Sequence, residues 1–390
     1  MKKCQVENIL IDINSKGKIR DWRGKKMSSL GLAKSYKGIA DKMKPEYEAR
    51  GVHNRYKKVR RKIKNEAGEV TGIVINDEPM GLYDKDGNRV VNYEKRAENM
   101  RFCGSFLEFA KIYENLKLTK ANFCRVPLCP MCQWRKAMRV FWDTSKIMRV
   151  IEERYPNYIP LFLTLTVRNC SAEDLSNNLN NIFSAWDTFM HSKTLRPLVN
   201  GKREYIIKGW FRALEITYND TADTFHPHFH SIMLVDKNYF KGKDYMHTED
   251  WVKLWRKSAK LDYDPVCDIR RTRTTKGKRE EVAEVAKYTY KDAEILSKKL
   301  SADKKDEIVK SLSTAIHGRR LYAYGGVMKE ISAELKVDAD KADLVKVNDD
   351  NINPALVKMI LTYHWNMGVS NYTLSKKIEL AKERAGTKNA

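Results

Sequence analysis

The chain has 390 residues, more than one minimal domain requires, and this length predicts two or three structural units. Hydrophobic residues make up 42% and aromatic residues 10%, a composition that can build a core and excludes an intrinsically disordered chain. Lysine and arginine outnumber aspartate and glutamate by 74 to 50, and the formal charge of +24 favours a polyanionic partner, most commonly nucleic acid.

Apolar segments and cysteines indicate the compartment. No stretch approaches the ~20 apolar residues of a membrane span, and the N-terminus lacks an apolar segment of signal-peptide length. The seven cysteines are an odd number, and without a secretory signal they are expected to stay reduced. The sequence therefore predicts a cytoplasmic protein in which clustered cysteines indicate a metal before disulfides.

Residues 1–97 are predicted to form a basic N-terminal accessory region that is rich in turns. Its densest run of charge, residues 57–62, is typical of a solvated face and equally of a phosphate-binding arm. The region shows no recognisable chemistry.

Residues 98–155 are predicted to be a cysteine-rich segment followed by a long helix. Cys124, Cys129 and Cys132 follow a Cx4CxxC pattern that favours a structural Zn²⁺ site, and Cys103 is the candidate fourth ligand. The alternative is a set of buried free cysteines, which behave as small hydrophobic residues. The basic pair Arg135 and Lys136, where the helix starts, is a candidate DNA contact.

Residues 156–335 show a mixed pattern of strands and helices. Strands are predicted over 161–167, near 205–218 and over 228–235, and helices over 175–189 and 279–299. This order predicts an α+β fold with a central antiparallel sheet flanked by helices. Residues 336–390 are predicted to be a charged helical tail.

The most distinctive cluster is a pair of histidines in the third of these strands. His228 and His230 are two residues apart, so a strand presents both on one face, where they suit a divalent cation. Pro227 predicts that the strand begins just after it, which leaves His226 at its entry. If the run near 205–218 pairs with the histidine strand as a hairpin, the carboxylate of Glu215 faces the histidines and is the candidate third ligand, with His226 as its competitor.

A second cluster lies on the helix predicted over 279–299. At 3.6 residues per turn, Glu284, Tyr288 and Lys291 share a polar face, whereas Tyr290 turns towards the packed side. A phenol with a pKa near 10 needs activation before it is a nucleophile, and a neighbouring metal and carboxylate supply it. Tyr288 is thus the candidate nucleophile and Glu284 its partner; Lys287 and Lys291 are candidate DNA contacts.

These segments look like the blocks of a known family. Residues 162–166 resemble its first motif, 228–230 its metal motif, 284–288 its catalytic helix, and 124–135 with 324–326 the flanking blocks of one plasmid subgroup. Over about residues 98–335 the chain resembles the plasmid rolling-circle replication initiators of bacteria, within the His-hydrophobic-His (HUH) endonucleases. Residues 1–97 have no counterpart in this resemblance.

The resemblance implies an activity and its partners. The protein would nick one strand of a plasmid origin with Mg²⁺ or Mn²⁺, join the 5′ phosphate to Tyr288 and bind both double- and single-stranded DNA. The free 3′ hydroxyl would prime the host polymerase, a host helicase would be recruited, and Glu284 would serve in termination. The resemblance also implies that the tyrosine helix lies against the metal site. No membrane partner is expected, because the sequence has no apolar span.

The sequence alone leaves two other functions open. A transposase or relaxase of the HUH group would use the same chemistry on a different DNA. A non-catalytic, zinc-containing DNA-binding regulator would explain the charge and the cysteines but leave the histidine and tyrosine clusters without a role. The second alternative predicts that Tyr288→Phe behaves like the parent protein.

Overall fold

A computed structural model describes residues 20–65, 68–113, 115–271, 282–286, 289–338, 344–345 and 356–380. The N-terminal third comprises α1 (Arg20–Ala49), β1 (His53–Lys64), β2 (Val70–Tyr83), β3 (Arg89–Val90), α2 (Tyr93–Phe102), β4 (Phe106–Ile112) and β5 (Asn115–Ala121). The middle comprises α3 (Pro130–Arg154), β6 (Tyr158–Thr166), α4 (Leu175–Met190), β7 (Leu198–Val199), β8 (Lys202–Arg203), β9 (Ile207–Asn219), β10 (Thr224–Asp236), a 3₁₀ helix (Lys237–Lys241), α5 (Thr248–Ser258) and β11 (Cys267–Arg271). The described C-terminal elements are α6 (Asp292–Ile295), α7 (Ala302–Ala315), β12 (Tyr322–Gly326), α8 (Val327–Glu334), β13 (Val357–Asn366) and β14 (Asn371–Glu379).

The centre of the fold is an antiparallel sheet with the strand order β11-β6-β10-β9-β12. On one face, Phe229 of β10 packs its ring against Phe183 and Trp186 of α4. On the other face, Tyr324 of β12 forms a hydrogen bond of 2.8 Å with Thr144 of α3. The α+β architecture with a helix-flanked antiparallel sheet therefore agrees with the sequence prediction. Within the described ranges, no helix has the length and apolarity needed to cross a membrane.

The strand that carries the histidines is longer than predicted. It begins at Thr224, not after Pro227, so His226 lies inside it. Pro227 is opposite Ile216 of β9, whose amide points away from β10 and donates to the carbonyl of Thr289. Residues paired in this way exchange no backbone hydrogen bond, so the missing proline N–H costs the β9–β10 ladder nothing.

The C-terminal tail is not helical over residues 357–379. There β13 and β14 form a hairpin that pairs with β4, giving a second antiparallel sheet in the order β14-β13-β4-β5. Thr362, Tyr363 and Thr373 have β-branched or aromatic side chains, which favour extended backbone, whereas the charge of the segment suggested a solvated helix. The tail thus completes the sheet that begins next to Cys103.

The N-terminal region is more regular than the predicted turn-rich segment. Its first element, α1, buries one stripe of residues at intervals of three and four positions: Trp22, Lys26, Ser29, Leu32, Tyr36, Ile39 and Met43. This stripe contacts α2, α3 and α7. A buried lysine and a buried serine interrupt the apolar stripe, which is why this helix was not predicted from the sequence.

The continuous helix predicted over 279–299 is wrong in the described part. Residues 282–285 form one helical turn, and α6 is a separate short helix from Asp292 to Ile295. Between them Lys291 is extended, with φ −100° and ψ 111°. The helical face that selected Tyr288 over Tyr290 is therefore not continuous.

Candidate metal and catalytic site

Three side chains converge on one face of the central sheet. His228 of β10 is directly opposite Glu215 of β9, and His230 is the next residue on the same face. The carboxylate oxygen Oε2 of Glu215 lies 3.1 Å from Nε2 of His230 and 3.5 Å from Nε2 of His228. One ligand atom from each residue lies within 4.8 Å of the other two.

The opposite ring nitrogens of both histidines are held by other groups. Nδ1 of His228 lies 3.1 Å from the carbonyl oxygen of His226, which can only accept, so His228 carries its proton on Nδ1. Nδ1 of His230 lies 3.0 Å from the hydroxyl of Thr164, which is opposite it on β6. Both rings thereby turn Nε2 towards Glu215, as histidines do when Nε2 binds a metal.

The surroundings of Glu215 favour its ionised form. Burial alone raises the pKa of Glu215, but hydrogen bonds and charge from His228 and His230 outweigh it, so the pKa is lowered and the group stays ionised. With its proton on Nδ1, a neutral His228 presents the lone pair of Nε2 to this carboxylate. A cation between the two groups would replace that repulsion by attraction.

The structure favours Glu215 over His226 as the third member. The ring of His226 lies 5.1 Å from that of His228, but its nitrogens are not part of the described group of three. Burial and the neighbouring His228 lower the pKa of His226. Its carbonyl contributes to the site instead, by fixing the His228 ring.

The chain on both sides of the candidate nucleophile is anchored in the core. Tyr288 and Lys287 lie outside the described residues, as does Glu281. Before them, Val282, Val285 and Ala286 are buried, and Glu284 is half-buried. After them, the carbonyl of Thr289 accepts a hydrogen bond of 2.7 Å from Ile216, the residue next to Glu215.

Two charged residues continue this anchor. Nζ of Lys291 lies 3.9 Å from Oε1 of Glu215 and 3.5 Å from Glu294, so Lys291 stands beside the histidine site. Glu294 accepts a hydrogen bond of 2.9 Å from the backbone amide of Tyr218 on β9. The segment that follows Tyr288 is thus attached to the strand that carries Glu215.

Tyr290 faces the core, as the sequence predicted. It is 3% exposed, and its hydroxyl donates to the carbonyl oxygen of Leu128. Burial raises its pKa well above the ordinary value for tyrosine. A phenol that is buried and donating in this way is unsuited to attack a phosphate.

The four cysteines of the predicted zinc site lie together, although 29 residues separate Cys103 from Cys132. Sγ of Cys132 is 3.5 Å from that of Cys103 and 3.7 Å from that of Cys124, and none of these thiols forms a disulfide. In a tetrahedral site with Zn–S bonds of about 2.3 Å, sulfurs are about 3.8 Å apart. The observed spacing is close to this value.

Backbone amides face the sulfurs. The amides of Cys124, Arg125 and Val126 donate to the thiol sulfurs at 3.3–3.4 Å. Cys129 is the N-cap of α3, where the positive end of the helix dipole stabilises a thiolate. These contacts favour anionic sulfur.

Two residues of α1 that sequence reasoning missed complete this cluster. Lys26 is fully buried and donates to the carbonyls of Arg101 at 2.6 Å and Cys103 at 2.8 Å. Burial lowers the pKa of Lys26, and the charge of the nearby cysteines, which raises it, only partly offsets this effect. Ser29 lies 3.5 Å from Sγ of Cys129. In the sequence, the only sign of this role was a lysine within the apolar stripe of a helix, and such a lysine does not specifically indicate a metal site.

Arg135 does not suit the DNA contact predicted for it. It is 4% exposed, and its guanidinium donates to the carbonyls of Leu344 and Val345 at 2.8 and 2.9 Å. Trp22 of α1 also lies against it, with the guanidinium carbon 5.4 Å from the ring centre, so the burial of Arg135 argues against that contact. Lys136 is half-buried, with Nζ 5.4 Å from the centre of the Tyr322 ring, and its role in DNA binding stays a prediction.

Comparisons with known proteins give one consistent result. Residues 115–373 match the replication protein family Rep_1. A "Protein rep" of Bacillus amyloliquefaciens is 31% identical over 385 residues, covering 94% of this chain and 97% of its own. A "Protein rep" of Streptococcus pneumoniae is 30% identical and covers 95% and 97%, and one of a Bacillus species is 35% identical and covers 72% and 94%.

The same matches bear on the N-terminal region. Because the Bacillus amyloliquefaciens protein covers 94% of this chain, most of residues 1–97 lie within the match. The expectation that this region has no counterpart is therefore wrong. No solved structure matches the chain.

Proposed function

Because the chain belongs to the replication protein family, we propose that it nicks one strand of a plasmid origin and so initiates rolling-circle replication. Family membership confirms the resemblance to plasmid replication initiators. The observation that carries the nicking mechanism is the convergence of Glu215, His228 and His230.

The donor set fits a divalent cation. Two imidazole nitrogens and one carboxylate oxygen suit Mn²⁺, and Mg²⁺ accepts the oxygen with water in the remaining positions. Three ligands leave coordination positions open for a phosphate oxygen. When bound there, the cation would withdraw charge from the scissile phosphate and stabilise the charge that develops during attack.

The proposed nucleophile is Tyr288. Its phenolic oxygen gives up its proton to water and attacks phosphorus, the bond from phosphorus to the 3′ oxygen breaks, and that oxygen takes a proton from water to leave as a free 3′ hydroxyl. The 5′ phosphate stays covalently attached to the tyrosine. The anchoring of Thr289 beside Glu215 supports this choice, and so does the burial of Tyr290.

Glu284 is proposed to resolve the covalent intermediate. As a general base it would take the proton of a water or a DNA 3′ hydroxyl, whose oxygen then attacks phosphorus and releases Tyr288. Its half-buried position in the turn directly before the tyrosine supports this role. Lys291, beside Glu215, is proposed to contact a DNA phosphate.

The four cysteines are proposed to bind Zn²⁺ for a structural purpose. The spacing of Cys103, Cys124 and Cys132, and the amides that face their sulfurs, support a tetrahedral site with no open position. Four thiolates around Zn²⁺ carry a net charge of −2, and the buried ammonium of Lys26 offsets part of it. Elemental analysis of the purified protein tests this proposal, and we expect about one zinc per chain. Cys170→Ser, which changes a cysteine outside the cluster, is the control and should keep the zinc.

The partners follow from the activity. The protein would bind the plasmid origin as duplex and its nicked strand as single-stranded DNA, and the 3′ hydroxyl would be extended by the host polymerase behind a host helicase. A transposase would act on transposon ends and a relaxase on a transfer origin. The DNA that the protein cleaves therefore distinguishes these enzymes from a replication initiator.

A nicking assay tests the central proposal. Purified protein is incubated with Mn²⁺ and supercoiled plasmid carrying the DNA around its own gene, and denaturing gels follow the products. We expect the parent to leave protein on the 5′ end, Tyr288→Phe and His228→Ala to lose nicking, and Tyr290→Phe to retain it. If Tyr288→Phe nicks like the parent, the nucleophile is wrong; if the parent binds DNA but never nicks it, the protein is a regulator.

A further inference from the structure

The strands β1 and β2 form a ribbon that leaves both its faces in solvent. They pair with each other along their whole length, and β3 joins only at the base, opposite Leu82 and Tyr83. Among the side chains described over 53–63 and 70–80, none is buried. A strand of 12 residues extends about 40 Å at ~3.3 Å per residue. The ribbon is therefore a long arm with no described covering layer.

The arm is anchored at its base. Arg50, just after α1, forms an ion pair of 2.7 Å with the buried Asp84, and its carbonyl accepts a hydrogen bond from the amide of Lys85. The guanidinium of Arg55 lies 4.7 Å from the centre of the Tyr83 ring. These contacts attach the arm to α1, whose first turns reach the cysteine cluster through Lys26.

The two faces of the arm differ in charge. Lys58, Arg60 and Lys62 project from one face, and no described residue forms an ion pair with any of them. On the other face Arg61 is paired with Glu78, which is also opposite Lys57. Asp77 is opposite Lys58 on the first face, called here the open cationic face, whereas Arg60 and Lys62 are opposite isoleucines and have no acidic residue across the ribbon.

The open cationic face also exposes apolar side chains. Tyr56 is 58% exposed, and Ile73 and Ile75, opposite Lys62 and Arg60, are 61% and 54% exposed. Exposed apolar groups of this size on an otherwise solvated ribbon indicate a surface that is covered by a partner. The excess of cations on this face opposes the binding of a second copy of the same face, because like charges would repel each other.

We infer that the open cationic face of the β1–β2 ribbon binds duplex DNA, with the ribbon lying in the major groove. This groove is about 12 Å wide and admits a two-stranded ribbon. Lys58, Arg60 and Lys62 would contact phosphates, while Ile73 and Ile75 would touch sugar and base edges, including thymine methyl groups. The inference deepens the proposed function, on which it rests, by assigning the element that holds the duplex while the histidine site acts on a single strand.

A matched pair of double variants tests the inference. Arg60→Gln/Lys62→Gln removes one arginine and one lysine from the open cationic face, and Lys57→Gln/Arg61→Gln removes the same charges from the other face. All four residues are exposed, so both variants are expected to fold. Binding to a fluorescent duplex of about three helical turns, and to one of its strands alone, is measured over a range of salt concentrations.

We expect Arg60→Gln/Lys62→Gln to bind duplex about tenfold more weakly near physiological salt, with the slope of log K against log salt reduced by about 2. Lys57→Gln/Arg61→Gln should change affinity by about twofold or less. Equal losses in the two variants, no loss in either, or an equal loss on the single strand would each overturn the inference.

Nicking of single-stranded DNA by the same variants separates this inference from the proposed function. Arg60→Gln/Lys62→Gln should nick a single strand at the parental rate, since the arm is not part of the histidine site. If the parent itself does not nick, the proposed function fails while the duplex-binding contrast still stands. If the parent nicks and the contrast is absent, only the inference fails.

Discussion

Glu215 and His228 are cross-strand partners in the hairpin of β9 and β10, directly opposite each other on the same face of the sheet. Their side chains approach to 3.5 Å. This register fixes the separation of carboxylate and imidazole before any ligand arrives, so little side-chain entropy remains to be lost on binding a cation. The third member, His230, needs only the two-residue repeat of the same strand.

Replacing Glu215 with glutamine should abolish nicking with little effect on folding. The amide keeps the volume of the carboxylate but loses the negative charge that would neutralise a bound cation. We expect at least about a hundredfold loss of nicking rate and a matching rise in the Mn²⁺ concentration needed. His226→Gln is the control, because the ring nitrogens of His226 lie outside the group of three and its backbone carbonyl, which holds His228, is unchanged by the substitution. Unchanged metal activation in Glu215→Gln would remove Glu215 from the ligand set.

The strands of the site could be predicted because their sequences alternate. The runs around 161–167 and 228–235 correspond to β6 and β10, and the apolar stripe that starts at Leu175 corresponds to α4. Once β9 and β10 pair as a hairpin, the position of Glu215 opposite the histidines follows from the sequence. The meeting of the four cysteines was likewise anticipated from spacing, with Cys103 assigned correctly as the distant member of the group.

The parts of the fold that were not predicted from the sequence depend on tertiary contacts. The predicted helix over 279–299 is interrupted because the backbone of Thr289 leaves helical geometry to bond with β9. The tail became strands because β4 offers an open edge to β13. Gly325 and Gly326, visible only as a motif, are required because a Cβ would lie 2.1 Å from the Trp210 ring and 2.3 Å from the Lys208 carbonyl oxygen, respectively.

Thr164→Val should weaken the metal site without removing a ligand. The substitution keeps the shape of the side chain but deletes the hydroxyl that lies 3.0 Å from Nδ1 of His230. Losing such a contact behind a metal-binding histidine costs about tenfold to a hundredfold in metal affinity or activity. The Mn²⁺ dependence of nicking measures the effect. Thr166→Val is the matched control, since the hydroxyl of Thr166 donates to the carbonyl of Val266 and not to a histidine. If both variants change the Mn²⁺ dependence equally, Thr164 does not position His230.

Lys26→Met should destabilise the protein and loosen the cysteine site. Methionine fills the buried space but leaves the carbonyls of Arg101 and Cys103 without a donor, at a cost of about 1–3 kcal/mol for each buried group. Zinc would also lose its buried counter-charge and dissociate more readily. Urea unfolding and the rate of zinc release to a chelator measure the two effects. Lys34→Met, an exposed site on the same helix, should stay within about 0.5 kcal/mol of the parent; a Lys26→Met protein as stable as this control would contradict the prediction.

The base of the ribbon should be sensitive to acid through Asp84. The hydrogen bond from Arg50 holds the pKa of Asp84 at about 2, below its ordinary value of 3.8. Because the pKa is depressed in the folded state, the stabilisation is complete above 3.8 and is lost as the pH falls through about 2. Asp84→Asn should therefore lower the thermal midpoint at neutral pH, and its difference from the parent should shrink as the pH falls from about 4 to about 2.

The same turn supplies the control for this pH dependence. Asp86 is exposed two residues further on, so Asp86→Asn should follow the parental midpoint at every pH. The amide of Asn88 also donates to Asp84, at 2.8 Å, and asparagine at position 84 can still accept that bond through its side-chain oxygen. The expected loss in Asp84→Asn is therefore that of the ion pair with Arg50. A difference from the parent that persists unchanged down to pH about 2 would mean that the charge of Asp84 does not stabilise the base of the ribbon.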